Sequence, residues 1–136
     1  MSESPVRLYL RDQLEAHMIG LGYSRVRSKR TTVPAPEIAR VNPVRGRIAY
    51  GETVLHADLR RRSCHERLLS FSQRRTRRRS SILFFIGVDD ADQEELETLL
   101  EQLDIRTRKR GGHVHVVPIP APSASRRRTA QPAPPA

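Results

Sequence analysis

The sequence predicts an α/β chain of the α+β kind, a mixed β-sheet flanked by helices, with elements in the order αβββαβαβ. Three observations carry this. Residues 6–21 place Leu10, Leu14, Met18 and Leu21 at helical spacing, and a second such stripe, Leu96, Leu99, Leu100 and Leu103, follows an acidic start at Asp89. Residues 81–88 (SILFFIGV) form a near-continuous apolar run between serines and aspartates, the pattern of a central strand covered on both faces. Three strand-like stretches lie between residues 24 and 55, and a run of strands followed by alternating elements implies a mixed sheet.

Taken in order, the first helix spans residues 6–21 and stops at Gly20 and Gly22. Residues 24–33 read as a strand that Pro34 and Pro36 interrupt. Residues 37–42 and 47–55 form a hairpin around Pro43-Val44-Arg45-Gly46, where proline and glycine supply turn chemistry. Ser63 and Glu66 match the reciprocal capping pattern, so the second helix starts there, with an apolar stripe of Cys64, Leu68 and Phe71. The acids from Asp89 suit the positive end of a third helix's dipole. After Gly111-Gly112, HVHVVPI is a last strand. The proline-rich residues 120–136 hold few hydrophobics and read as a disordered tail, which leaves one domain over residues 1–119. At 136 residues a single core burying roughly two thirds of the unfolded surface is feasible, and with aromatics at 4% that core is built from Leu, Ile and Val.

Composition narrows the function classes. No run approaches the roughly 18 apolar residues of a membrane span, and MSESPVRLYL lacks the regions of a signal peptide, so a cytoplasmic protein without a membrane partner is expected. The single cysteine, Cys64, excludes an internal disulfide and a multi-thiolate zinc site. The net charge of +10 is unevenly placed: residues 1–88 hold 18 Lys and Arg against 7 acids, residues 89–105 hold 8 acids and no base, and residues 106–136 hold 7 bases and no acid. An excess of bases over acids points to a polyanionic partner, most often nucleic acid.

Two glutamates stand out against this basic background. With the turn centred between Val44 and Arg45, facing residues of the hairpin have numbers that sum to 89, and Glu37 lies opposite Glu52. Facing side chains in an antiparallel pair have Cβ atoms about 4.5–5.5 Å apart, and like charges there destabilise the pair. A divalent cation such as Mg²⁺ or Mn²⁺ would compensate them directly. Nearby arginines would neutralise them instead, and a loop one residue longer or shorter would put them on opposite faces.

The order of elements, with Pro36-Glu37 opening one strand and Gly51-Glu52-Thr53-Val54 closing the next, resembles the PD-(D/E)XK nuclease-like superfamily, whose fold is a restriction-endonuclease-like core, over residues 6–119. That resemblance implies Mg²⁺ ligands at Glu37 and Glu52 as the catalytic acids, an additional carboxylate at Glu15 on the first helix, and Val54 where the family places a lysine that activates water. Period two along a strand puts residue 54 on the face of Glu52, and valine cannot supply the missing charge. Either a group from elsewhere, such as Lys29, Arg67 or Gln73, reaches the site, or hydrolysis is weak or lost and the fold binds without cutting.

Arg74, Arg75, Arg77, Arg78 and Arg79 are expected to close the second helix, where like charges four apart repel by about 0.2–0.5 kcal/mol a pair. Phosphates would relieve that repulsion through bidentate pairing. The nucleic-acid surface expected is therefore Lys29, Arg67 and these five arginines, with DNA as the partner. The alternative is a non-catalytic interaction module whose arginines meet an acidic protein surface, including the Asp89 helix of a second copy in a homodimer. His113 and His115 share a strand face as two zinc ligands or as ordinary exposed histidines. His56 and Asp58 fall in the loop before the second helix, with Asp58 as a turn-former.

Overall fold

The computed structural model of the chain describes residues 4–25, 35–74 and 82–120. Helix α1 (Pro5–Gly20) starts where Ser4 accepts the Arg7 N–H at 3.0 Å and Pro5 takes the first turn, whose amides need no helical partner. Leu10, Leu14 and Met18, four residues apart, are its buried stripe. Strands β1 (Ile38–Asn42) and β2 (Arg47–Val54) form the antiparallel hairpin, with Ile38 facing Gly51 and Asn42 facing Arg47, the predicted register. Its turn is set by Asn42, whose Oδ1 accepts the N–H of Val44 and Arg45, and by Gly46 at φ 64°.

A 3-10 turn (His56–Arg60) leads into helix α2 (Arg62–Ser72). Strand β3 (Leu83–Asp89) follows, then helix α3 (Gln93–Gln102) and strand β4 (Val114–Ile119). The sheet order is β1-β2-β3-β4, with β2, β3 and β4 parallel. The fold is α+β with a mixed sheet, as expected. Helix α1 covers one face of the sheet through Leu14, Ile38, Phe85 and Ile119; α2 and α3 cover the other through Leu68, Phe71, Phe84, Ile86, Leu96 and Leu100. Strand β3 is buried on both sides, which is why its sequence reads as an apolar run rather than an alternation.

Helix α1 sits close against the hairpin. A Cβ on Gly51 would lie 3.1 Å from Ile38 Cβ and 3.2 Å from Leu14 Cδ2, so glycine is what admits the helix there. That approach places Arg7 and Arg11, two turns and one turn before Leu14, over the end of β2.

Three expectations are corrected. Helix α2 begins at Arg62 after Arg61, with no side-chain cap, so Ser63 lies inside the first turn rather than capping it. The same helix ends at Ser72, because Gln73 leaves the helical ladder, so Arg74 lies beyond it. Helix α3 starts at Gln93, because residues from Asp90 to Asp92 wind as a tighter 3-10 turn after the Asp89 side chain accepts the Ala91 N–H. Residues 26–33 of the expected strand over 24–33, with Lys29, lie outside the described residues, as do Arg75, Arg77, Arg78, Arg79 and the tail from residue 121. Ser24 and Arg25 are not in a strand, although the Ser24 N–H donates to the Val41 carbonyl at 2.8 Å. Among the described residues no helix is long and apolar enough to cross a membrane.

Candidate functional site

At the carboxyl end of β2 the chain builds a cleft of about 330 Å³ between α1 and the start of α2. Its floor is Glu52, Thr53 and Val54; Glu37, Asp58 and Cys64 line it, and four arginines, Arg7, Arg11, Arg61 and Arg67, close over them. Glu52 is only 4% exposed.

Both glutamates meet here, but each is satisfied by protein donors. Glu52 accepts Arg67 in a bidentate pair, Nε to Oε1 at 2.9 Å and Nη2 to Oε2 at 2.9 Å, and its Oε2 also accepts the Glu37 N–H at 2.6 Å. Glu37 returns the favour across the hairpin: its Oε1 accepts the Thr53 N–H and hydroxyl, each at 2.8 Å, while Arg11 Nε donates to Oε2 at 3.3 Å and Arg7 Nη1 lies 3.8 Å from Oε1. Each carboxylate therefore holds the backbone of the opposing strand, and the pair is drawn to different helices, Glu52 to α2 and Glu37 to α1.

Asp58 anchors the third corner. Its Oδ2 accepts the Leu55 N–H at 2.9 Å, the local turn-forming role the sequence suggests, and also takes Arg7 Nη2 at 2.5 Å. Arg61 stands 3.5 Å from its other oxygen. Arg7 in turn donates to the Thr53 carbonyl at 3.0 Å. Arg67 is steadied from below by the Phe71 ring, with the guanidinium carbon 5.0 Å from the centroid.

Electrostatics follow from these contacts. Burial raises the Glu52 carboxyl above the ordinary glutamate range, the Arg67 bonds pull it down, and the charge of Glu37 pushes it up again; the net direction is up. The same pair raises Arg67, whose hydrogen bonds to Glu52 outweigh its own burial, so the guanidinium stays charged. Burial, then the charges of Asp58 and Glu52, push the Cys64 thiol up to about 12, which removes it as a nucleophile.

The expected Mg²⁺ ligands do not fit that ion as they stand. Mg²⁺ needs several free oxygens in near-octahedral array, whereas both Glu52 oxygens and both Glu37 oxygens already accept N–H or O–H donors. Glu15 does not join them: its carboxylate pairs with Arg40 of β1, outside the cleft. Gln73 lies beyond the cleft lining as well, and Val54 is buried in the core, 1% exposed. Of the residues expected to contact phosphate, Arg67 is committed to Glu52, and Arg74 packs its guanidinium 4.9 Å from the Phe71 centroid.

Arg7, Arg11 and Arg61 were invisible as site residues until the fold assembled them. Their signals were present: Arg7 and Arg11 are like charges four apart on one helix, which calls for acids opposite, and Arg60-Arg61-Arg62 is a basic run at a helix start.

A second cluster forms at the start of the 3-10 turn. His56, Asp92 and Glu95 bring one ligand atom each within 4.8 Å of one another, a set that could hold a metal ion. His56 Nδ1 and Asp92 Oδ1 are 2.9 Å apart. His113 and His115 do not form such a set, since His113 Nε2 bonds the Ser72 carbonyl at 2.7 Å and His115 stacks on Phe85 with centroids 4.8 Å apart. Comparison with known proteins finds no family model, curated protein or solved structure that matches the chain.

Proposed function

We propose that the chain binds nucleic acid, DNA in the first instance, through phosphate contacts of its exposed arginines, and that its cleft is a degenerate nuclease-like site that binds without hydrolysing. The observation that carries this reading is the bidentate Arg67–Glu52 pair. A guanidinium stands where a nuclease of the PD-(D/E)XK type would hold a cation, and Val54 stands where it would hold the lysine. The carboxylates then serve to fix arginines, and four guanidiniums against three carboxylates leave the cleft basic.

Phosphate contact falls best on Arg60, Arg61 and Arg62, which are exposed at the start of α2. No side-chain hydrogen bond caps the start of that helix. Helix amino termini and arginine forks both favour phosphate oxygens. The overall charge of +10 supplies the long-range attraction.

Fluorescence anisotropy of a labelled duplex across a salt series tests this reading. The expected result is binding that weakens linearly in log salt, with Mg²⁺ acting only as added salt, and a slope reduced by roughly two to three when Arg60, Arg61 and Arg62 are all changed to Gln. A duplex that fails to bind at low salt, or binds without salt dependence, overturns it and leaves the acidic-protein partner as the reading.

A further inference from the structure

We infer that His56, Asp92 and Glu95 form a binding site for a first-row transition dication, Zn²⁺ or an ion of similar preference, independent of the arginine cleft. The topology makes the meeting. Strands β2 and β3 are parallel neighbours with Val54 facing Val88, so the segments that leave their carboxyl ends emerge side by side. His56 comes from the first segment and Asp92 and Glu95 from the second, with the three ligand atoms within 4.8 Å of one another. Bonds of about 2.0–2.2 Å put adjacent ligand atoms of such an ion roughly 3–3.5 Å apart. The His56–Asp92 separation of 2.9 Å is already near that range, and the exposed Glu95 has room to close the remainder.

Charge pairing supplies a second observation. In this arginine-rich chain Glu15, Glu37, Glu52, Asp58, Glu97 and Glu101 each meet an arginine or a lysine. Among the described residues Asp92 and Glu95, like Asp12, Glu66, Glu94 and Asp104, pair with neither; what sets Asp92 apart is its contact with the imidazole of His56. The donor set also selects the ion. One imidazole nitrogen with two carboxylate oxygens suits Zn²⁺, Co²⁺ or Ni²⁺, whereas Mg²⁺ gains little from nitrogen. Asp92 and Glu95 sit at the amino end of α3, whose dipole opposes a cation, so the imidazole bond decides whether the ion stays. Three protein ligands leave at least one position for water or an anionic oxygen, the open form of such a site.

Titration of the full chain with Co²⁺, read by its visible absorption, tests the site. The expected result is one Co²⁺ bound per chain, with affinity reduced by roughly tenfold or more in His56→Ala and in Glu95→Gln, since even outer-shell partners are worth that much. The paired variant His113→Ala with His115→Ala should bind as the wild type does. Both test positions are exposed, so folding is not at stake, and circular dichroism of each variant checks it. Absence of a visible Co²⁺ spectrum overturns the inference, as does binding that both His56→Ala and Glu95→Gln retain or that the His113/His115 variant loses.

Discussion

One five-residue turn separates two ionic clusters that use the same carboxylate chemistry to opposite ends. Asp58 reaches from it into the cleft, where every acid meets a guanidinium; His56 pairs with Asp92, which among the described residues meets no arginine or lysine. The cleft carboxylates are met by the protein's own donors, whereas in the triad His56 and Glu95 are exposed and Asp92 is half-buried. The difference teaches that position in the fold, more than residue type, decides whether a carboxylate is structural cement or a ligand in waiting. Burial makes an unpaired charge costly, and Glu52 and Asp58, the two buried acids of the cleft, both meet arginines.

The comparison is broken most severely at Glu52. Glu52→Ala strips Arg67 and the Glu37 N–H of their shared acceptor, and should lower the unfolding free energy by about 1–3 kcal/mol in urea titration; the larger figure for fully buried pairs is discounted because Arg67 is partly exposed. The matching change in the open cluster, Asp92→Asn, should cost less than about 0.5 kcal/mol.

Arg67→Met comes next. It leaves Glu52 buried without its partner, at a cost of about 1–2 kcal/mol. It also sharpens a pH signature. The Glu52 carboxyl is already raised in the folded chain, so the folded state takes up that proton at higher pH than the unfolded state does. The stabilising contribution of Glu52 is therefore complete below its unfolded pKa and falls as pH rises through its folded one. Carbon-detected titration of the Glu52 carboxyl should place its midpoint above the ordinary value of about 4.3, and Arg67→Met should move it further up.

Asp58→Asn is the smaller cut. It keeps a side-chain oxygen for the Leu55 N–H but weakens the Arg7 contact, for a loss of about 1 kcal/mol by the same urea measurement.

Much of the architecture was legible because it is local. The 3.6-residue stripe of α1, the apolar run of β3 and the turn chemistry around Gly46 each follow from neighbouring residues. The hairpin register was legible for the same reason, and it correctly brought Glu37 and Glu52 to one place. What the register could not carry was the direction each carboxylate takes: that depends on Arg7 and Arg11 arriving from α1 and Arg67 from α2, contacts between residues 15 to 46 positions apart. Arginine pairing was one of the open readings, and the cleft realises it. The end of α2 is not legible in the sequence: the arginine series continues past Ser72 without a glycine or proline to mark where the helix stops. His56 with Asp92 and Glu95 had no sequence signature at all, since parallel strand pairing alone brings them together.

The central claim is that guanidinium groups, and no divalent cation, satisfy the two cleft glutamates, Glu37 and Glu52. Thermal unfolding in excess Mg²⁺, with the His56→Ala variant used so that only the cleft responds, tests it most directly. The account predicts an unchanged melting temperature, with or without Glu52→Gln; a Mg²⁺-dependent rise that Glu52→Gln abolishes would contradict it.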